Sequence, residues 1–174
     1  MSEDFTVTLA NNKIFNALSE GELAALSSIA TPVHFKRGES IFQESEVGDS
    51  FYQVVEGKVS ITKRDSTGVE REVASLGGNE ILGEMALLSE APRSASAKCV
   101  EDTQLLRILK TDFDDLLEAG NVHAHRVVRH MAKVLCGRVC EMNDALSTLL
   151  QREAARSTPE LAALRERLMK EWSF

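Results

Sequence analysis

Five short segments rich in Val, Ile, Phe and Tyr, spaced by turn residues and flanked on both sides by helical periodicity, predict an α+β, mainly β fold. Its expected form is an antiparallel jelly-roll barrel, with helices before it and a long helix after it. Many short strands with regular turns favour that architecture over a parallel sheet.

The chain begins with a helical segment over residues 1–30. Ile14, Phe15 and Leu18 precede Ser19-Glu20-Gly21-Glu22, a capping box in which Ser19 and Glu22 satisfy each other's orphan amides. Leu23, Leu26 and Ile29 follow at helix spacing, and Pro32 prevents continuation. The barrel is expected over 31–120. Its strands are Val33 to Lys36, Ser50 to Val55, Lys58 to Lys63, Val69 to Ser75 and Gln104 to Leu109. Gly38, Gly48, Gly57, Asp65 to Gly68 and Gly77-Gly78-Asn79 mark the turns. Thr111 is placed to cap a short helix that buries Phe113, Leu116 and Leu117 and ends at Gly120.

A long helix is expected over 121–150, running from about Val122 to Leu150. Val128, Ala132, Leu135, Val139, Met142, Leu146 and Leu149 alternate spacings of four and three, which is a coiled-coil seam and suggests a homodimer. An amphipathic helix lying on its own barrel gives a similar pattern. Residues 151–174 form a last amphipathic helix, with Pro159 in its first turn and Leu161, Leu164, Leu168 and Trp172 on one face.

Composition narrows the function. The 174 residues carry 27 acidic against 20 basic side chains, a net charge of -7, whereas nucleic-acid binders draw most of their affinity from basic surfaces. Direct DNA binding is therefore not expected. No apolar run is long enough to span a membrane, and the acidic, polar start MSEDFTVTLANNK is unlike a secretory signal. Three cysteines do not make a disulfide framework, and a reduced cytoplasmic setting fits them.

The segment 81–96, Ile81-Leu82-Gly83-Glu84-Met85-Ala86-Leu87-Leu88-Ser89-Glu90-Ala91-Pro92-Arg93-Ser94-Ala95-Ser96, carries the chemistry. Gly83 permits close backbone approach, and Glu84 opens a short helical turn through Leu88. Arg93 is followed by small residues. Glu84 and Arg93 could simply pair with each other, or they could divide the work, Arg93 on a phosphate and Glu84 on sugar hydroxyls.

This segment resembles the phosphate-binding cassette of cyclic-nucleotide-binding domains, roughly F-G-E-x-A-L-x-x-x-x-P-R-x-A-[ST]. Gly83, Glu84, Ala86, Leu87, Pro92, Arg93, Ala95 and Ser96 match it without insertion. The resemblance extends upstream through Phe35 to Glu39, Ile41, Gly48-Asp49, Tyr52 and Glu56 to Val59, and covers about residues 13–140. Two positions depart from the pattern: Leu82 replaces the usual aromatic, and Ser45 stands where glycine is frequent.

The resemblance implies a cyclic purine mononucleotide as ligand, cAMP more than cGMP, bound by Gly83, Glu84, Met85, Ala86, Arg93, Ser94 and Ala95. Glu84 would accept from the ribose 2′-hydroxyl beside the Gly83 backbone. Arg93 would pair with the exocyclic phosphate oxygens, assisted by the Ala86 and Ala95 amides, and Ser94 would lie beside the phosphate. At the purine, alignment with the catabolite activator proteins brings Arg138 and Val139 close, and Arg138 could stack on the base; a solvated arginine is the alternative.

Other chemistries find little support. His123, His125, His130, Cys136 and Cys140 are strung along one helix and do not converge on a tetrahedral metal site. No nucleophile with a partner base and no Walker loop is present, so no enzyme and no metal cofactor are expected. The expected function is a sensor that signals through its C-terminal helices to an unknown effector protein. The alternatives are a regulator of the catabolite activator type that reaches DNA through a partner, since 24 residues after Leu150 are too few for a winged helix-turn-helix, or a ligand-free interaction module.

Overall fold

A computed structural model describes residues 4–12, 14–89, 91–154 and 167 of the chain. Inside the helices, the side chains of 86, 87, 138, 141, 142, 145, 146 and 149–154 fall outside that description, as does the helix expected around Pro159 to Trp172.

Among the described residues, eight strands form two antiparallel four-stranded sheets. They are β1 (Ala30–Phe35), β2 (Ser40–Phe42), β3 (Ser50–Glu56), β4 (Val59–Arg64), β5 (Glu70–Leu76), β6 (Ile81–Leu82), β7 (Ser96–Cys99) and β8 (Thr103–Leu109). The sheet orders are β1-β8-β3-β6 and β2-β7-β4-β5, a jelly roll. The expected barrel is thus a sandwich of two open sheets rather than a closed cylinder. Five strands match the expected segments. The other three, β2, β6 and β7, have three, two and four residues, too few to establish a period of two.

Among the described residues, five helices accompany the sheets: α1 (Thr6–Ala10), α2 (Glu20–Ser27), α3 (Met85–Leu88), α4 (Lys110–Glu118) and α5 (Val122–Ala154). The capping box forms: the Ser19 amide donates to Glu22, and the Glu22 amide donates to Ser19 Oγ. Residues 14–18, expected to be helical, instead make successive turns, and α2 stops before Ile29. Asn12 directs this entry, since its Oδ1 accepts from the Ile14 amide at 2.6 Å and its amide donates to the Asn79 carbonyl.

Thr111 does not cap α4. The N-cap lies two residues earlier, at Leu109, and makes no side-chain hydrogen bond. Its end is as expected: Gly120 at φ 72° allows the Gly120 and Asn121 amides to bond Leu117 and Leu116 carbonyls, the paired bonds of a Schellman motif. Asn121 then caps α5, its Oδ1 accepting from the His123 and Ala124 amides at 2.9 and 3.1 Å. Two helices are thereby joined through a single Gly-Asn step.

Strand β3 is buried on both faces, and this organises the core. Tyr52 and Val54 point between the sheets, where they meet Val59, Leu82, Ala97, Cys99 and Leu105. Phe51 and Gln53 point the other way, toward the N-terminal helices. The Phe51 ring meets Phe15 edge-on at 6.3 Å, and Gln53 Nε2 donates to the Thr8 carbonyl at 2.7 Å. Alternation along β3 therefore serves two cores at once. The first turns of α5 bury Ala124, Val127 and Met131.

By its contacts the chain divides into two compact units within α5, Met1–Ala132 and Lys133–Phe174. Val139 of the second unit is exposed, as are Cys136 and Cys140. Among the described residues, no helix is long and apolar enough to cross a membrane.

Candidate functional site

The segment singled out in the sequence lies between β6 and β7. Strand β6 pairs with β3 through Tyr52↔Leu82 and Gln53↔Ile81, which sets the entry point. Leu82 is buried in the inter-sheet core, so it fills the place of the missing aromatic with aliphatic packing. Gly83 follows with φ 74°, Glu84 occupies the N-cap position of α3, and the chain continues through Arg93 to β7.

Arg93 is the centre of the arrangement. Only 7% of the residue is exposed, and its backbone is fixed on both sides by the loop after β2: the Ser45 amide donates to its carbonyl at 2.9 Å, and its amide donates to Glu46 at 2.8 Å. Ser45 achieves this at φ 72°, in the left-handed region that glycine adopts freely. The glycine that the family pattern favours at this position would adopt that φ without strain. Ser45→Gly is expected to raise stability by about 1 kcal/mol, read as a higher urea midpoint at unchanged slope.

The Arg93 guanidinium sits above the Phe42 ring, its Cζ 4.2 Å from the centroid. Its hydrogen bonds are long: Nη1 to the Gly83 carbonyl at 3.3 Å, and Nη2 to Asp49 Oδ1 and Ser50 Oγ at 3.4 Å each. Among the described residues, Nε has no hydrogen-bond partner. Buried polar groups are ordinarily satisfied, and a guanidinium has five donors, so this one keeps donor capacity in hand. Burial pulls its pKa below that of a free arginine, while the neighbouring Tyr52, Asp49 and Glu46 oppose the shift. Ser50 Oγ is 2.8 Å from Asp49 Oδ1 and 3.0 Å from the Tyr52 hydroxyl, and the Tyr52 ring stacks on Phe42 at 6.3 Å.

Gly83, Glu84, Met85, Ala86, Arg93, Ser94 and Ala95 thus share one stretch of chain around a buried arginine. Met85 and Ser94 are exposed, and Ala95 is half-buried. Arg138 lies on α5 in the second unit, and its side chain falls outside the described residues. Sequence reading did not assign Phe42, Asp49, Ser50 or Tyr52 to the site. Gly48-Asp49 and Tyr52 were visible as part of the resemblance, yet only as barrel positions, and nothing in the sequence marked Phe42. Among the described residues, no group of three or more His, Cys, Asp or Glu side chains could hold a metal ion. His130 Nε2 instead donates to the Ile14 carbonyl, and His123 packs against Gly21.

The site is thus a glycine-led turn and a buried arginine between the sixth and seventh strands of a two-sheet jelly roll. Residues 32–119 match the family described as "Cyclic nucleotide-binding domain". The chain is 34% identical over 157 residues to the "Cyclic AMP receptor protein" of Thermus thermophilus, across 90% of this chain and 70% of that protein. It is also 34% identical over 114 residues to the "cAMP-dependent protein kinase regulatory subunit" of Dictyostelium discoideum, across 60% of this chain and 35% of that protein. Among solved structures, the N-terminal domain of a transcriptional regulator from Streptomyces coelicolor A3(2) superposes with a TM-score of 0.66 at 30% identity. That match covers 80% of this chain and 94% of the other. The chain belongs to the cyclic nucleotide-binding domain family.

Proposed function

We propose that the chain is a sensor that binds a cyclic purine mononucleotide, cAMP in preference to cGMP, at the cassette of residues 81–96. The observation that carries this reading is the buried Arg93 guanidinium, whose hydrogen bonds are long and whose Nε has no partner among the described residues. A cyclic phosphate supplies oxygens in fork geometry, which is what such a guanidinium lacks. Glu84, at the start of α3, takes the ribose 2′-hydroxyl, with the Gly83 backbone and Met85 beside it. The Ala86 and Ala95 amides and Ser94 complete the phosphate end, and the family resemblance offers Arg138 for the base. The names of the Thermus and Dictyostelium relatives support cAMP over cGMP.

Output runs through the C-terminal helices. α3 touches α4, and α4 passes into α5 through the Gly120-Asn121 step, so a ligand that fixes α3 biases the start of α5. The ligand switches the protein only by the difference in its affinity for two arrangements. A homodimer through the 122–150 helix, acting on an effector protein, is the assembly this reading favours. Regulation of transcription through a DNA-binding partner is the second reading, supported by the Streptomyces regulator domain.

The test is calorimetric titration of cAMP and cGMP into wild type and Arg93→Ala. Saturable binding at micromolar affinity or tighter is expected, about -8 kcal/mol. The substitution should weaken it by one to two decades, since a charge-assisted hydrogen bond contributes about 1.5–3 kcal/mol. Absence of heat with both nucleotides, on protein freed of copurified ligand, would overturn the proposal.

A further inference from the structure

We propose that Phe42 is a positioning residue for the ligand-reading arginine, and that the stacked Phe42–Tyr52 pair is the floor holding the Arg93 guanidinium in its binding orientation. The inference rests on the cassette reading above. Phe42 ends β2 in one sheet and Tyr52 lies in β3 of the other, so the pair bridges the sandwich beneath the site. The Arg93 Cζ lies 4.2 Å from the Phe42 centroid, whereas its polar contacts are all 3.3 Å or longer. The ring is therefore the close partner of this cation, and the polar groups around it are loose ones.

The geometry has a chemical consequence. An aromatic ring attracts a guanidinium through the face of the cation, while all five N–H donors lie in its plane. A contact with Cζ over the ring offsets the desolvation of the charge without an acceptor having to occupy a donor. A carboxylate in the same place would hold the arginine as firmly but would consume the fork that has to read a phosphate. Backbone bonds from Ser45 and Glu46, just after Phe42, hold Arg93 over the same loop, so ring and main chain fix one rotamer together. Orienting the side chain before binding lowers the entropy lost on association.

The experiment compares Phe42→Leu, which keeps apolar bulk but removes the π face, with Phe42→Tyr, which keeps both. Cyclic AMP affinity is expected to fall fivefold to thirtyfold in Phe42→Leu and to stay within twofold in Phe42→Tyr. In an Arg93→Ala background, Phe42→Leu should change affinity less than twofold, because its effect passes through the arginine. A ligand-free readout separates this proposal from the cassette reading. In wild-type protein without nucleotide, the Arg93 side-chain protons should be shifted upfield by the ring and the Nε–H protected from exchange, and both signatures should vanish in Phe42→Leu. If wild type binds no cyclic nucleotide but these signatures hold, the cassette reading fails and the positioning stands. If Phe42→Leu is folded and binds within twofold of wild type, or if the Arg93 resonances of wild type are unshifted, the positioning role is overturned.

Discussion

Gly83→Ala is expected to weaken cAMP binding by one to two decades, as much as removing Arg93 itself. A Cβ at residue 83 would lie 2.5 Å from Arg93 Nη1, 3.4 Å from its Cζ and 3.2 Å from the Ser50 carbonyl. The guanidinium is the softer neighbour, but it is wedged over Phe42 and cannot yield without leaving its place. The substitution should therefore act as a displaced-arginine variant. It also places a side chain at φ 74°, which costs about 1–2 kcal/mol of stability. The two effects separate in a double-mutant cycle measured by calorimetry and thermal unfolding. On an Arg93→Ala background, Gly83→Ala should change affinity less than twofold, because the clash has no target. The backbone strain should persist there and still lower the melting temperature. An unchanged affinity for Gly83→Ala alone would show that the arginine has room to move and still bind.

That prediction required the structure, although its two residues were both singled out in the sequence. The segment was legible because its parts are contiguous: Gly83, Glu84 and Arg93 sit within one short stretch, and spacing alone brings them to notice. What surrounds Arg93 was not, since Asp49 and Ser50 come from more than forty positions upstream and Phe42 from the opposite sheet. The same division runs through the fold. Local chemistry announced the Ser19–Glu22 box, the Gly120 stop and the long helix, each specified by neighbours along the chain. Strand β6 has two residues and no period to read; it exists because Tyr52 and Gln53 of β3 offer it a ladder. The apolar Ile14, Phe15 and Leu18 suggested a helix, but they are buried from a run of turns, which opens with the Asn12 side chain accepting from the Ile14 amide. Tertiary burial explains the hydrophobicity of those residues without fixing their backbone.

Gly57→Ala is expected to be the most destabilising of these substitutions, with a loss of about 3–5 kcal/mol. Gly57 joins β3 to β4 at φ 95°, and an added Cβ would meet Thr103 Oγ1 at 2.6 Å, the Asp102 carbonyl at 2.7 Å and Thr103 Cα at 2.8 Å. Two of these atoms are backbone, and that backbone is held. Asp102 accepts from the Arg37 amide and from Lys36 Nζ, the Val100 amide donates to the Lys58 carbonyl, and Thr103 pairs with Phe35 across to β1. Relief of the clash would push on the first residue of β8, the strand between β1 and β3 in its sheet. The melting temperature should fall by about 10 °C or more. Gly38 supplies the internal control: it has φ 85° but nothing within 4 Å of an added Cβ, so Gly38→Ala carries the backbone strain without the collision and should lose about 1 kcal/mol. The difference between the two variants isolates the steric part. Equal losses would mean that β8 shifts to admit the methyl group, and that the β3–β4 turn is less tightly docked than its contacts indicate. Since the atoms that an added Cβ at Gly57 would meet belong to Asp102 and Thr103, outside the 81–96 segment, nucleotide affinity measured below the melting transition should match wild type, which separates damage to the scaffold from damage to the site.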